Sequence, residues 1–311
     1  MYQSSATKAI QHKMDNANKH KAGFVNIVGK PNVGKSTLMN ALVGEQLSII
    51  TFKAQTTRQR IMGIVNEPDF QIVYSDTPGI VDNPGYKMHE GMNKLVQGAL
   101  IDADVVLLMI DATDKKDDFE LYADRLSKVN SPIVLVINKC DAVTEAVADK
   151  KLQTWTEHIK PLIGYKISAL KGDKLPDMLA KIVELLPFHP PYYDKDQLTD
   201  RPMRFFVSEI IREKIMLNYG EEIPYSVEVE IEEYQEEEKI DRIRALIVTN
   251  RESQKPILIG KAGAMLKKVG TEARVDLEKF LGKKVFLELF VKVRENWRND
   301  ERFLRYKGFD L

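Results

Sequence analysis

A chain of 311 residues in which 46 Lys and Arg balance 46 Asp and Glu carries no formal charge, which excludes a uniformly basic nucleic-acid coat and leaves any such surface local. Its length suits two domains, and 43% hydrophobic with 30% charged residues is the make-up of ordinary globular units, neither fibrous nor disordered. One cysteine, Cys140, cannot form an internal disulfide, and no run approaches the roughly 18 apolar residues of a membrane span; both suit a soluble protein of the cytoplasm.

Residues 1–22 are polar, lack an apolar h-region and contain no arginine, so they read as a mobile leader, neither secretory signal nor transit peptide. From Phe24 short apolar runs recur, FVNIV, FQIVYSD, DVVLLMID and PIVLVIN, separated by segments of helical length. Apolar runs without alternation predict strands buried on both faces, here a mostly parallel, doubly wound α/β sheet over residues 23–186.

The first run leads into Gly29, Lys30, Pro31, Asn32, Val33, Gly34, Lys35 and Ser36, which fit G-x-x-x-x-G-K-[ST] between a strand and a helix, with Thr37 next as a further nucleotide contact. Glycines there let consecutive backbone N–H groups turn inward on phosphate oxygens at a helix N-terminus. Lys35 would reach the β and γ phosphates and the Ser36 hydroxyl would ligate Mg²⁺. Next come the threonines of AQTTRQR, of which Thr57 is favoured over Thr56 as a second Mg²⁺ contact. In SDTPG, Asp76 ends a strand and suits Mg²⁺ held through water, while Gly79 can bring its N–H to the γ phosphate. The following residue, Ile80, stands where Ras-like enzymes orient the attacking water with glutamine, which an alkyl chain cannot do.

Asn138, Lys139 and Asp141 follow the run PIVLVI, at the strand end where open α/β sheets bind ligands. The Asp141 carboxylate can accept from guanine N1–H and the 2-amino group, a donor pair that adenine lacks, so the pattern selects GTP over ATP. Ser168, Ala169 and Leu170 follow a short β segment and could place a backbone N–H on guanine O6. Cys140, inside this pattern, reads as a packing residue.

Pro187, Pro190, Pro191 and Pro202 mark residues 187–202 as a linker. Beyond it, Val207, Ile211 and Ile215 share a helix face, while YSVEVEI puts Tyr225, Val227, Val229 and Ile231 on one side of a strand and VFLELFVKV alternates likewise. Residues 203–311 therefore predict a smaller α+β unit. Its charge divides, 7 basic against 12 acidic over residues 201–250 and 15 against 9 over residues 251–311, so one face could attract phosphates.

With five nucleotide motifs in order, the T-T-R of the first switch counted among them, the sequence resembles the Era family of GTPases from about Phe24 to the C-terminus. The resemblance implies hydrolysis of GTP to GDP and phosphate, with Lys35, Thr57, Gly79 and Asn32 at the catalytic centre. It also implies a cycle of affinity for the immature small ribosomal subunit. In related GTPases an asparagine matching Asn32 accompanies a bound K⁺, which could stand in for an arginine finger.

The second unit resembles the KH module of that family. Gly260, Lys261, Ala262 and Gly263 form a G-x-x-G turn, which by resemblance clamps about four nucleotides of single strand. Lys261, Lys267 and Lys268 would meet phosphates, with Ile257 and Ile259 beside them in an apolar groove; a solvated helix face is the plain alternative for the lysines. The implied ligand is the 3′ end of small-subunit ribosomal RNA. A different class of target, a protein or the inner face of the cell membrane reached peripherally through the basic C-terminal stretch, stays open.

Overall fold

A computed structural model describes residues 20–51, 53, 55–127, 129–309 and 311. The expected leader lies outside this range, apart from its last three residues. Of these, Lys21 and Ala22 open strand β1, Lys21–Val28, because Ala22 is fully buried and its N–H donates to Pro187 O.

The described residues form two compact units, one holding the chain up to Ser48, Arg60–Asp82 and Leu95–Asp200, the other Ile49–Gln59, Asn83–Lys94 and Arg201–Leu311. The first is a six-stranded sheet in the order β2-β3-β1-β4-β5-β6. Its members are β1, β2 (Ile61–Asn66), β3 (Phe70–Asp76), β4 (Val105–Asp111), β5 (Ile133–Asn138) and β6 (Ile163–Lys166). All neighbours pair in parallel except β2, which runs antiparallel to β3 at the edge. Helices α1 (Lys35–Val43), α2 (Lys87–Ile101), α3 (Phe119–Leu126), α4 (Glu145–Ile159) and α5 (Leu175–Leu185) connect them. Strand β4 is buried at every position, as its unbroken apolar run requires in a sheet covered on both faces.

The proline-rich stretch is only partly a linker. Residues up to Asp200 pack as part of the first unit: Ile64 N–H donates to Leu198 O, and the buried Gln71 side chain accepts from the N–H groups of Tyr192 and Tyr193 while donating to Tyr193 O. Proline removes its own donor but leaves its neighbours' amides and carbonyls, and the open edge of β2 and the polar side chain on β3 use them.

In the second unit a sheet in the order β7-β8-β9 has β7 (Val227–Glu236) antiparallel and β9 (Lys284–Val293) parallel to the central β8 (Ile240–Thr249). Its helices are α6 (Met203–Asn218), α7 (Ile223–Ser226), α8 (Gln254–Ile259), α9 (Ala264–Leu281) and α10 (Glu301–Tyr306). Val207, Ile211 and Ile215 of α6 and Val269, Ala273 and Leu277 of α9 are fully buried against Val227, Val229, Ala245 and Ile247. Tyr225 lies outside the strand expected for it, in α7, whose second residue, Pro224, suits a first helical turn. A bulge between Ile231 and Glu233 then shifts the register of β7.

Candidate functional site

In the first unit the C-terminal ends of β1, β3, β4 and β5 bring the phosphate-loop, SDTPG and N-K-C-D residues to one edge of the sheet. Gly34 takes a left-handed φ of 101° and caps α1, and a Cβ there would lie 2.4 Å from Asn138 Nδ2. Gly79 is pressed against Pro31, whose backbone N would sit 2.7 Å from an added Cβ. Glycine at both places allows close approach of three loops.

The Lys35 ammonium is buried and donates to Gly29 O at 3.1 Å and Lys30 O at 2.8 Å, closing the loop around itself. Burial pulls its pKa down to about 8, against the opposing pull of Asp76. An incoming phosphate would supply the counter-charge that the carbonyl dipoles only partly provide. The Ser36 hydroxyl donates to Asp76 Oδ2 at 2.7 Å, and Asp76 is fully buried. A hydroxyl and a carboxylate at that spacing are the hard oxygen donors that Mg²⁺ takes, so the pair fits the metal.

Thr57, expected beside them, is buried and counts with the second unit, as does Thr56, whose carbonyl accepts from Arg212. Of the three residues expected at the metal, Ser36 and Asp76 meet within the first unit. Asn32 is exposed with a left-handed φ of 64°, a conformation asparagine tolerates. Ile80 is 5% exposed and packs in the core with Val28, Val96 and Ile110. Its side chain is thus committed to the core.

At the end expected to read the base, Asn138 is a brace. Its Nδ2 donates to Val33 O at 2.7 Å and its Oδ1 accepts from Ala169 N–H at 2.9 Å, tying the phosphate loop to the Ser168–Leu170 turn. Of the amides in the stretch expected to meet guanine O6, that of Ala169 is therefore already engaged by Asn138, and a base would have to share it. Asp141 is exposed, and a hydrogen bond from Ser168 holds its carboxyl below the usual range. Leu170 is 79% exposed beside them. Cys140 is half-buried, with burial pushing its thiol pKa up, as suits packing and not nucleophilic attack. Sequence reasoning missed two neighbours of the loops: Asp118, paired with Lys30, and Tyr122, whose hydroxyl accepts from Lys30 N–H at 3.0 Å.

In the second unit the G-x-x-G turn joins α8 to α9. Gly260 (φ 73°, ψ 173°) and Gly263 (φ 77°, ψ 9°) flank Ala262, itself left-handed at φ 51°. A groove of about 420 Å³ opens beside Gly263, lined by Leu266, Lys267, Gly270, Thr271 and Arg274 of α9 and by Leu287 and Leu289 of β9. Ile257 and Ile259 do not line it, because α8 buries Leu258 between them and turns Ile257 outward. The apolar wall comes instead from β9, which follows the turn by some twenty residues and which spacing alone could not bring there. Lys261, Lys267 and Lys268 are exposed.

Comparison with known proteins agrees with both halves. A family described as 50S ribosome-binding GTPase matches residues 24–139, and the KH domain family matches residues 222–298. GTPase Era of Coxiella burnetii (strain Dugway 5J108-111) is 42% identical over 292 residues, spanning 93% of this chain and 98% of that protein. The chain belongs to the Era family of GTPases. It is accordingly an enzyme that hydrolyses GTP, with a KH domain as its second unit. The chloroplastic GTPase ERA-like protein of Arabidopsis thaliana is 42% identical over 294 residues, 93% of this chain and 69% of that protein. Two solved Era structures each match with a TM-score of 0.88 at 40% identity, covering 94% of this chain and all of theirs. One is Era with MgGDPNP and nucleotides 1506–1542 of 16S ribosomal RNA; the other is an Aquifex aeolicus Era variant bound to GDP and AlF4⁻.

Proposed function

We propose that this Era-family GTPase binds GTP and Mg²⁺ in its first unit and the single-stranded 3′ end of small-subunit ribosomal RNA in its second, and that it serves assembly of the small ribosomal subunit. The observation that carries the RNA half is Gly263: an added Cβ would meet no protein atom within 4 Å, yet the residue borders a groove with an apolar floor and a basic rim. Space kept beside a left-handed glycine suits a nucleic-acid backbone, Lys261, Lys267, Lys268 and Arg274 suit its phosphates, and Leu266, Leu287 and Leu289 suit unstacked bases. The RNA in the complex of the Era relative belongs to the small subunit, which supports this choice of ligand.

In the first unit Lys35 would transfer its hydrogen bonds from loop carbonyls to the β and γ phosphates, and Gly79 would offer its N–H to the γ phosphate. Ser36 and Asp76 would hold Mg²⁺, with Thr57 as the further contact; the ion would offset the charge that builds on the phosphate oxygens. Asp141 and the Ser168–Ala169 turn would read guanine. Since Ile80 cannot orient water, Asn32 is assigned the carbonyl that draws K⁺ to the phosphates. A peripheral membrane target has less support, because Lys267 and Arg274 border a groove with an apolar floor, which suits a nucleic-acid strand more than a flat lipid surface.

The test is binding of an oligonucleotide matching the small-subunit RNA 3′ end to protein loaded with a non-hydrolysable GTP analogue or with GDP. Tight binding that Gly263→Asp abolishes supports the reading. Equal weak binding in every case, with capture by anionic vesicles instead, refutes the RNA half.

A further inference from the structure

Asp111, a residue outside the five nucleotide motifs, sits at the end of β4 opposite Asn138 of β5 and is 6% exposed. Its Oδ1 accepts from the Thr113 amide at 2.8 Å and the Thr113 hydroxyl at 2.7 Å, while its Oδ2 lies 2.5 Å from Lys139 Nζ. Lys139 has a left-handed φ of 62° and stands between the brace Asn138 and the exposed Asp141. An exposed lysine would ordinarily move among rotamers, at a cost to any ligand that must pack on it. Here a nearly buried, doubly anchored carboxylate on the neighbouring strand draws the ammonium back across the sheet end.

We propose that Asp111 is a positioning residue for the nucleotide base: by holding the ammonium it lays the four-carbon stem of Lys139 in place as one wall of the slot between Asp141 and the Ser168–Leu170 turn. The purine ring then meets an apolar surface that is ordered before binding. This rests on the reading of N-K-C-D as the guanine site.

Asp111→Asn is the clean perturbation, since an amide oxygen can still accept both Thr113 bonds while the charge that holds Lys139 is gone. The affinities for GDP and GTP should fall together by about 3- to 10-fold, through faster release, because the base is common to both and one rotamer-rich side chain must now be ordered on binding. The melting temperature without nucleotide and the Mg²⁺ dependence of turnover should stay as in the parent. Lys139→Met, which keeps a stem without an ammonium, should weaken both nucleotides too, and adding Asp111→Asn to it should cause no further loss. The same loss from Asp111→Asn in the Lys139→Met background, a loss confined to GTP, or none at all would each overturn the proposal. Failure of the underlying site looks different: Asp141→Asn would then leave the preference for guanine over adenine nucleotides intact, and Asp111 would lose its assigned role with it.

Discussion

Gly260 and Gly263 open and close the same turn, yet their surroundings differ enough to separate stability from ligand binding. At Gly260 the backbone lies at φ 73°, ψ 173°, a region that side chains avoid, and an added Cβ would sit 2.8 Å from Met265 Cβ and 2.9 Å from Met265 N. Backbone strain there is worth up to about 3 kcal/mol, and overlap with a neighbour's main chain adds to it. At Gly263 the backbone is left-handed at φ 77°, ψ 9°, and nothing lies within 4 Å of the added carbon, so alanine costs only about 1 kcal/mol. Gly260→Ala should therefore lower the unfolding temperature of the second unit clearly, whereas Gly263→Ala should lower it little and still weaken RNA binding at least tenfold, because its methyl fills the space a phosphate backbone would enter. Thermal unfolding followed by circular dichroism and fluorescence anisotropy with a labelled oligonucleotide read the two effects apart. If Gly263→Ala binds RNA like the parent while Gly260→Ala unfolds normally, the assignment of the two glycines is wrong.

Three further outcomes are expected. Burial and the nearby Arg298 and Arg58 lower the pKa of His89 from 6.5 to about 4, and its Nδ1 accepts from Gly85 N–H, so the folded protein resists protonating it. The unfolded chain takes up that proton first, so this contribution is complete above pH 6.5 and is lost as pH falls toward 4; after solvent screening it amounts to about 2 kcal/mol. His89→Asn should accordingly lose less stability than the parent between pH 7 and pH 5 in urea titrations. Ala262→Gly should raise stability by roughly 0.5–1 kcal/mol, since φ 51° strains an alanine, and an unchanged or lower midpoint would count against strain in the turn. GTP hydrolysis should run faster in KCl than in NaCl, with Asn32→Ala erasing the difference; equal rates in the two salts would remove K⁺ from the site.

Local pattern carried much of this molecule. The phosphate loop, N-K-C-D and G-x-x-G are contiguous, and what they do depends on backbone turns over a few residues and on the strand or helix beside them, which apolar periodicity marks. Strand β2 escaped that reading because it is a short edge strand broken by Gly63 and half-exposed at Met62, Val65 and Asn66. Contacts between distant parts of the chain were decided only in three dimensions. Residues 187–200 join the first unit through Gln71, and Ile49–Gln59 and Asn83–Lys94 count with the second. The apolar wall of the groove beside Gly263 comes from β9, and Asn138, legible as a motif residue, turns out to tie Val33 to Ala169. The pairing of Lys139 with Asp111 is of the same kind: β4 and β5 are parallel neighbours, and their register alone sets the carboxylate opposite the loop that follows Asn138. Sequence spacing encodes partners one turn or one pleat apart, while partners across a sheet depend on strand order and register, which folding settles.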